Sequence, residues 1–164
     1  MWRHFTWIEG PHRVAIMQCP SGGEDLDRDL GELRAAGVDV LASMMESEEA
    51  ARFGLADEAA ACRRHGIEFF SFPVPDHGTP ASADEAVAFA NAMAAQVRAG
   101  HGVVFHCFAG IGRSATMALV TLRVLGIELN DAVGRLRRAR GLDVPETDAQ
   151  LRWVASLPID PCPP

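Results

Sequence analysis

Nine residues, His106-Cys107-Phe108-Ala109-Gly110-Ile111-Gly112-Arg113-Ser114, interrupt an otherwise apolar passage of this chain. They follow Gly102-Val103-Val104-Phe105 and lead into Ala115 to Leu125, which is apolar on several helical faces. A short apolar run suits a buried strand, and a helix that is apolar nearly all round suits the centre of a domain. The passage thus predicts a strand–turn–helix unit with both arms interior, the building block of an α/β fold. The turn is the odd part: it carries a thiol at one end and a guanidinium at the other, with two glycines between them.

The rest of the chain repeats the alternation. Val14 to Met17 reads as a strand closed by Pro20 and Gly22-Gly23, and Leu26, Leu30 and Leu33 recur at helical spacing before Gly37. Val38 to Ala42 reads as a strand, Leu55 to His65 as a helix ended by Gly66, and Ile67 to Phe72 as a strand. Pro73 to Pro80, PVPDHGTP, is a loop by its prolines and glycine. Ser82 is an N-cap for a helix from Ala83 to about Ala99, with Asp84 and Glu85 in its first turn. Gly102 to His106 forms the next strand and Arg113 to Leu125 the central helix. A helix from Ala132 to Arg140, starting at Asn130 or Asp131, carries arginines at 135, 137, 138 and 140. Pro145 and Glu146 open a last helix to about Ser156. The order implies one domain, a central, mostly parallel sheet flanked by helices. Sites in such sheets lie at the carboxyl ends of strands, where the quoted turn sits.

The totals narrow the functions. At 164 residues the chain has the length of one domain. A net charge of −7 argues against broad nucleic-acid binding, which needs a basic face, but leaves room for a local anion site. No run approaches the ~18 apolar residues of a membrane span. The N-terminus lacks the apolar core of a secretion signal. Cys19, Cys62, Cys107 and Cys162 show no CxxC spacing, so they read as reduced thiols of a cytoplasmic protein rather than as metal ligands.

Three readings of the turn compete. Gly110, Gly112 and Ala115 spell GxGxxA, a dinucleotide fingerprint, but no second strand with a ribose-binding acid follows at the required distance. Cys107 as a plain core thiol leaves Arg113 unexplained, because a desolvated guanidinium requires an anion or a carboxylate. An anion cradle explains every residue. The N–H groups of a turn opening into a helix point at a bound anion, Gly110 and Gly112 allow the backbone path and a close ligand, and Arg113 grips two oxygens at once. Cys107 at the centre of that field is expected to favour thiolate and to act as a nucleophile.

The nine residues resemble the HCxxGxxR[ST] signature of cysteine-dependent protein phosphatases, and residues 7 to 157 are similar to the small dual-specificity branch. The resemblance implies a single domain over residues 1–157 and phosphomonoester hydrolysis without a metal or cofactor, while composition alone marks a Pro-rich tail at 158–164. It implies that Cys107 attacks phosphorus while Phe108, Ala109, Gly110, Ile111, Gly112 and Arg113 surround the phosphate. By the same resemblance Asp76, in FPVPDHGTP, is the general acid, with His77 a weaker candidate. Ser114 stabilises the leaving thiolate, or alternatively caps its helix. Gln150, in PETDAQ, orients water, and His106 supports the loop or is a core histidine.

Expected substrates are phosphotyrosine, then phosphoserine or phosphothreonine, on proteins or as small phosphomonoesters. No nucleic-acid or membrane partner is expected, and the oligomeric state is left open. No tyrosine-clamping loop is recognisable in residues 1–50, which implies a shallow pocket, and the loop carries no base that would favour an inositol lipid. The arginines from 135 to 140 read as a solvated face or as a guide for acidic substrates. A disulfide between Cys107 and Cys19, Cys62 or Cys162 is a conceivable response to oxidation. The alternative function is a binding module that sequesters phosphoproteins without turnover. Arsenate or sulfur transfer shares the cradle, but the His-Cys opening and the Asp76 loop favour the phosphatase.

Overall fold

A computed structural model of the chain describes residues 5–160. Four strands, β1 (Val14–Gln18), β2 (Val40–Ser43), β3 (Glu68–Ser71) and β4 (Val103–Cys107), form one sheet in the order β1-β4-β2-β3. Every pairing among them is parallel, with Gln18 opposite Cys107 and Ser43 opposite His106. Seven helices connect and cover them: α1 (Leu26–Ala35), α2 (Ser47–Arg52), α3 (Glu58–Arg64), α4 (Ala83–Arg98), α5 (Arg113–Val124), α6 (Leu129–Arg140) and α7 (Asp148–Ser156). The result is a single α/β domain with helices on both faces, as the alternation of elements implied.

The pleat sorts each strand into two cores. Val103, Phe105 and Cys107 face the layer of α4 to α7, whereas Val104 faces that of α1 and α3. A period of two therefore sends His106 and Cys107 to opposite sides of the sheet. Helix α5 is buried along almost its whole length, from Arg113 to Leu122 and again at Val124, which its all-round apolar sequence requires.

Boundaries moved where capping chemistry overrode the simple pattern. Ser82 does cap α4, its side chain accepting from the Glu85 N–H at 3.2 Å. Helix α6 starts earlier than Asn130, because Glu128 takes the N-cap position and accepts from the Asp131 N–H. Helix α7 starts at Asp148, later than Pro145-Glu146, because Thr147 and Gln150 form a reciprocal capping box. Helix α3 is likewise shorter than Leu55 to His65. Helix α2 had no counterpart in the sequence reading; its six residues are too few and too polar to show an apolar period.

Candidate active site

Strand β4 ends at Cys107, and the chain turns through residues 108–112 into the first turn of α5. Gly110 makes this turn possible in two ways. Its φ is +70°, and a Cβ there would lie 2.2 Å from the Met17 carbonyl carbon and 2.3 Å from the Gln18 nitrogen. Gly112 has an ordinary φ of −110°, so its role is spatial: a Cβ would meet a Glu146 carboxylate oxygen at 2.7 Å and the Gln150 amide nitrogen at 3.1 Å. Gly112, not Ser114, is the N-cap of α5. Among the described residues, no backbone carbonyl accepts from the N–H groups of Ala109 to Gly112, and the first turn of α5 adds further unpaired donors. The turn is thus a concave set of amides at a helix N-terminus, a geometry suited to an anion.

Cys107 is 3% exposed, and its Sγ lies 3.3 Å from Ser114 Oγ. Arg113 is buried. Its two terminal nitrogens donate to the two oxygens of Glu49 at 2.8 Å each, and one also donates to the Val74 carbonyl at 3.2 Å. Burial disfavours the guanidinium charge, but the hydrogen bonds to Glu49 and the neighbouring Cys107 reverse this and raise its pKa above the ordinary value. The same fork holds the Glu49 carboxyl below its usual range. Glu49 stands on α2, just beyond the carboxyl end of β2, and escaped the sequence reading. The available signal was an acidic cluster, Glu46, Glu48 and Glu49, at the end of a buried strand.

The 73–80 loop follows β3 and passes the cradle. Its tip is a turn closed by the Gly78 N–H on the Pro75 carbonyl at 2.8 Å, with His77 in the left-handed region at φ +59°. Asp76 lies 3.2 Å from an Arg113 nitrogen and is more than half exposed. His77 Nδ1 lies 3.1 Å from a Glu146 oxygen. Gln150 is fully buried and commits its amide on both sides, donating to the Gly78 carbonyl at 3.1 Å and accepting from the Thr147 N–H. It therefore ties the 73–80 loop to the start of α7, close behind Gly112.

His106 stands across the sheet. Its Nε2 is 2.9 Å from Glu58 Oε1 on α3, both side chains being buried. Among the described residues, that oxygen and both ring nitrogens lack an aligned hydrogen-bond partner, so the contact is one of proximity rather than a directed bond. Cys19 and Cys62 also belong to that far side, whereas Cys107 belongs to the near core. Burial pushes the Cys19 thiol up to about 11 and the Cys62 thiol up to about 12. Cys62 is buried in that core, Cys19 is half-buried and donates its N–H to the Phe108 carbonyl at 3.2 Å, and Cys162 lies outside the described residues.

The arginines of α6 are engaged at home. Arg140 donates to the carbonyls of Gly110 and Ala109 at 3.0 Å each, Arg135 pairs with Asp131, Arg138 with Glu9, and Arg137 with Asp143 and the Val144 carbonyl. Arg140 braces the 108–112 turn through these two carbonyls and is neither a solvated residue nor a free guide for substrate.

Comparison with known proteins gives the family and the fold. Residues 15–126, more than half of the chain, match the family model described as polymorphic toxin system, DSP-PTPase phosphatase, and the chain belongs to that family. It is 24% identical over 132 residues to cyclin-dependent kinase inhibitor 3 of Rattus norvegicus, covering 79% of this chain but only 62% of that protein. The structure of Tk-PTP in its active form is similar, with a TM-score of 0.77, 28% identity and coverage of 96% and 97% of the two chains. Kinase associated phosphatase, crystallised with its catalytic-site cysteine replaced by serine, shares the fold at a TM-score of 0.80, 20% identity and coverage of 92% and 91%. No described helix is long and apolar enough to cross a membrane.

Proposed function

We propose that the protein hydrolyses phosphomonoesters, phosphotyrosine foremost and phosphoserine or phosphothreonine besides, through a phosphocysteine on Cys107. The observation that carries this reading is the convergence on one thiol. The Ser114 hydroxyl lies 3.3 Å from Cys107 Sγ, and a ring of unpaired amides closes on Arg113 beside it. In the first step the thiolate attacks phosphorus, the P–O ester bond breaks, and Asp76 gives its proton to the leaving oxygen. Arg113 and the loop amides hold the three remaining oxygens as charge spreads over them. In the second step Asp76 takes a proton from water, whose oxygen attacks phosphorus. The P–S bond breaks, and the thiolate leaves toward the Ser114 hydroxyl. Gln150, joined to the loop that carries Asp76, holds that loop in place for this step.

The test is release of p-nitrophenol from p-nitrophenyl phosphate between pH 5 and 8, with chelator and reductant present. Chelator-resistant turnover that vanishes in Cys107→Ser, and falls by roughly 10²–10⁴ in Asp76→Ala, supports the mechanism. Folded protein that retains phosphopeptide without releasing phosphate overturns it in favour of a sequestering module.

A further inference from the structure

The tip of the 73–80 loop holds a backbone conformation that its residue does not favour. The Gly78 N–H closes a turn on the Pro75 carbonyl at 2.8 Å, and His77, two residues after Pro75, has a φ of +59°. Among the described residues it is the one non-glycine residue with a positive φ. Turns that need a positive φ at this position favour glycine or asparagine, because a Cβ in the left-handed region is strained. Such strain persists only where surrounding contacts hold it, and it gathers at functional sites.

The contacts that hold His77 lead to carboxylates of the site. Its Nδ1 lies 3.1 Å from Glu146 Oε2, and its Nε2 lies 3.4 Å from Asp76 Oδ2. Its N–H donates to Asp76 Oδ1 at 3.0 Å, the same oxygen that lies 3.2 Å from an Arg113 nitrogen. The imidazole thus stands between the loop's own carboxylate and that of Glu146, two residues before α7. Glu146 is seated against the cradle, for its Oε2 lies 2.7 Å from where a Cβ on Gly112 would stand. One residue beyond His77, the Gly78 carbonyl accepts from the Gln150 amide at 3.1 Å. Prolines at 73, 75 and 80 stiffen the arms of the loop and leave 76–79 to be set by such contacts. A glycine at 77 would suit the turn better than histidine, but it could not reach Glu146.

We infer that His77 is a positioning residue for the general acid. It occupies the strained turn position so that its ring, anchored on Glu146, fixes the direction of the Asp76 carboxylate beside Arg113. The inference rests on the hydrolase reading above, in which Asp76 protonates the leaving oxygen, and adds the residue that aims it. A general acid works only within hydrogen-bond reach of the oxygen it serves. Asp76 is more than half exposed, so packing does not confine it; the Arg113 nitrogen faces one of its oxygens and the His77 ring the other. An exposed pair such as His77–Glu146 adds little to stability, so its effect falls on proton donation rather than on folding.

Proton donation is read from the leaving group. kcat/KM is measured for phenyl phosphate, whose phenoxide leaves poorly without a proton, and for 2,4-dinitrophenyl phosphate, whose phenoxide needs none. His77→Gly and Glu146→Ala should each lower the ratio of the first to the second by roughly 3- to 10-fold. The urea midpoint of His77→Gly should hold or rise, because glycine relieves the strained φ. Since both residues act through Asp76, neither change should alter the ratio by more than about twofold in an Asp76→Ala background. Hydrogen exchange gives a readout apart from turnover: Glu146→Ala should speed exchange of the Gly78 amide, which closes the turn, by roughly 2- to 5-fold. An unchanged ratio in either single variant, or equal losses for the two esters, would overturn the inference. So would a further fall of the ratio in the Asp76→Ala background, which would make His77 or Glu146 an acid in its own right. Equal Gly78 exchange in the parent and Glu146→Ala would overturn it too. If the parent releases no p-nitrophenol, the hydrolase reading fails by itself, and the exchange measurement still decides whether Glu146 holds the loop.

Discussion

Replacing Glu49 by glutamine would test whether the guanidinium of the cradle is held in place by one carboxylate. The side chain keeps its shape, but one of its two oxygens becomes an amide group that faces an N–H of Arg113. Two hydrogen bonds of 2.8 Å to a guanidinium that is 2% exposed would become one bond and one repulsive contact. Removing one partner of a fully buried ion pair costs about 3–5 kcal/mol. Glu49 is 17% exposed and Arg113 keeps the Val74 carbonyl and Asp76, so the expected cost is smaller, ~2–3 kcal/mol. For a chain of 164 residues that corresponds to a fall in Tm of about 5–10 °C.

The pH dependence carries the sign of the interaction. The bonds from Arg113 hold Glu49 below its ordinary pKa in the folded protein. A depressed carboxyl contributes stability that is complete above the unfolded pKa of about 4.3 and is lost as pH falls through the native value. The gap between the parent and Glu49→Gln should therefore be full at pH 7 and close on acidification toward and below that value. Urea unfolding at a series of pH values measures it. A gap under about 0.5 kcal/mol at pH 7, the size of an ordinary surface substitution, would refute the argument. So would a gap that stays constant as the solution is acidified, since charge would then not be its source.

Two further substitutions examine how the loop is supported. Gly110→Ala forces a side chain into a left-handed residue and onto the β1 backbone; at about 1–2 kcal/mol for the conformation and 1–3 kcal/mol for the overlap, urea unfolding should report a loss of about 2–5 kcal/mol. A loss below 1 kcal/mol would mean that β1 yields freely at Met17 and Gln18. Arg140→Ala removes the two bonds behind Ala109 and Gly110, so inhibition by inorganic phosphate should weaken about tenfold; Arg140→Lys should rescue little of it, because an ammonium cannot span both carbonyls as a fork does. Full rescue by lysine would show that Arg140 acts by charge alone.

What the sequence disclosed and what it withheld divide along contact distance. The strand ending at Cys107, the glycine turn and the buried helix α5 are legible because each follows from neighbours along the chain: a short apolar run, a residue without Cβ, an apolar helix. The cap at Ser82 is local in the same sense. The partner of Arg113 is not. Glu49 lies 64 positions away, on a helix too short to have a readable period, and reaches the cradle only because β2 and β4 are parallel neighbours whose carboxyl ends coincide. The same holds for Arg140 behind the loop and for Gln150 on the Gly78 carbonyl, 72 positions apart, both invisible until the sheet order is known. The demand was nevertheless written in the sequence. A guanidinium in a glycine turn beside a buried strand could not stay charged without an acceptor, so a carboxylate or an anion had to come from somewhere. Parallel packing supplies the carboxylate on one side, and leaves unpaired amides on the other for the anion.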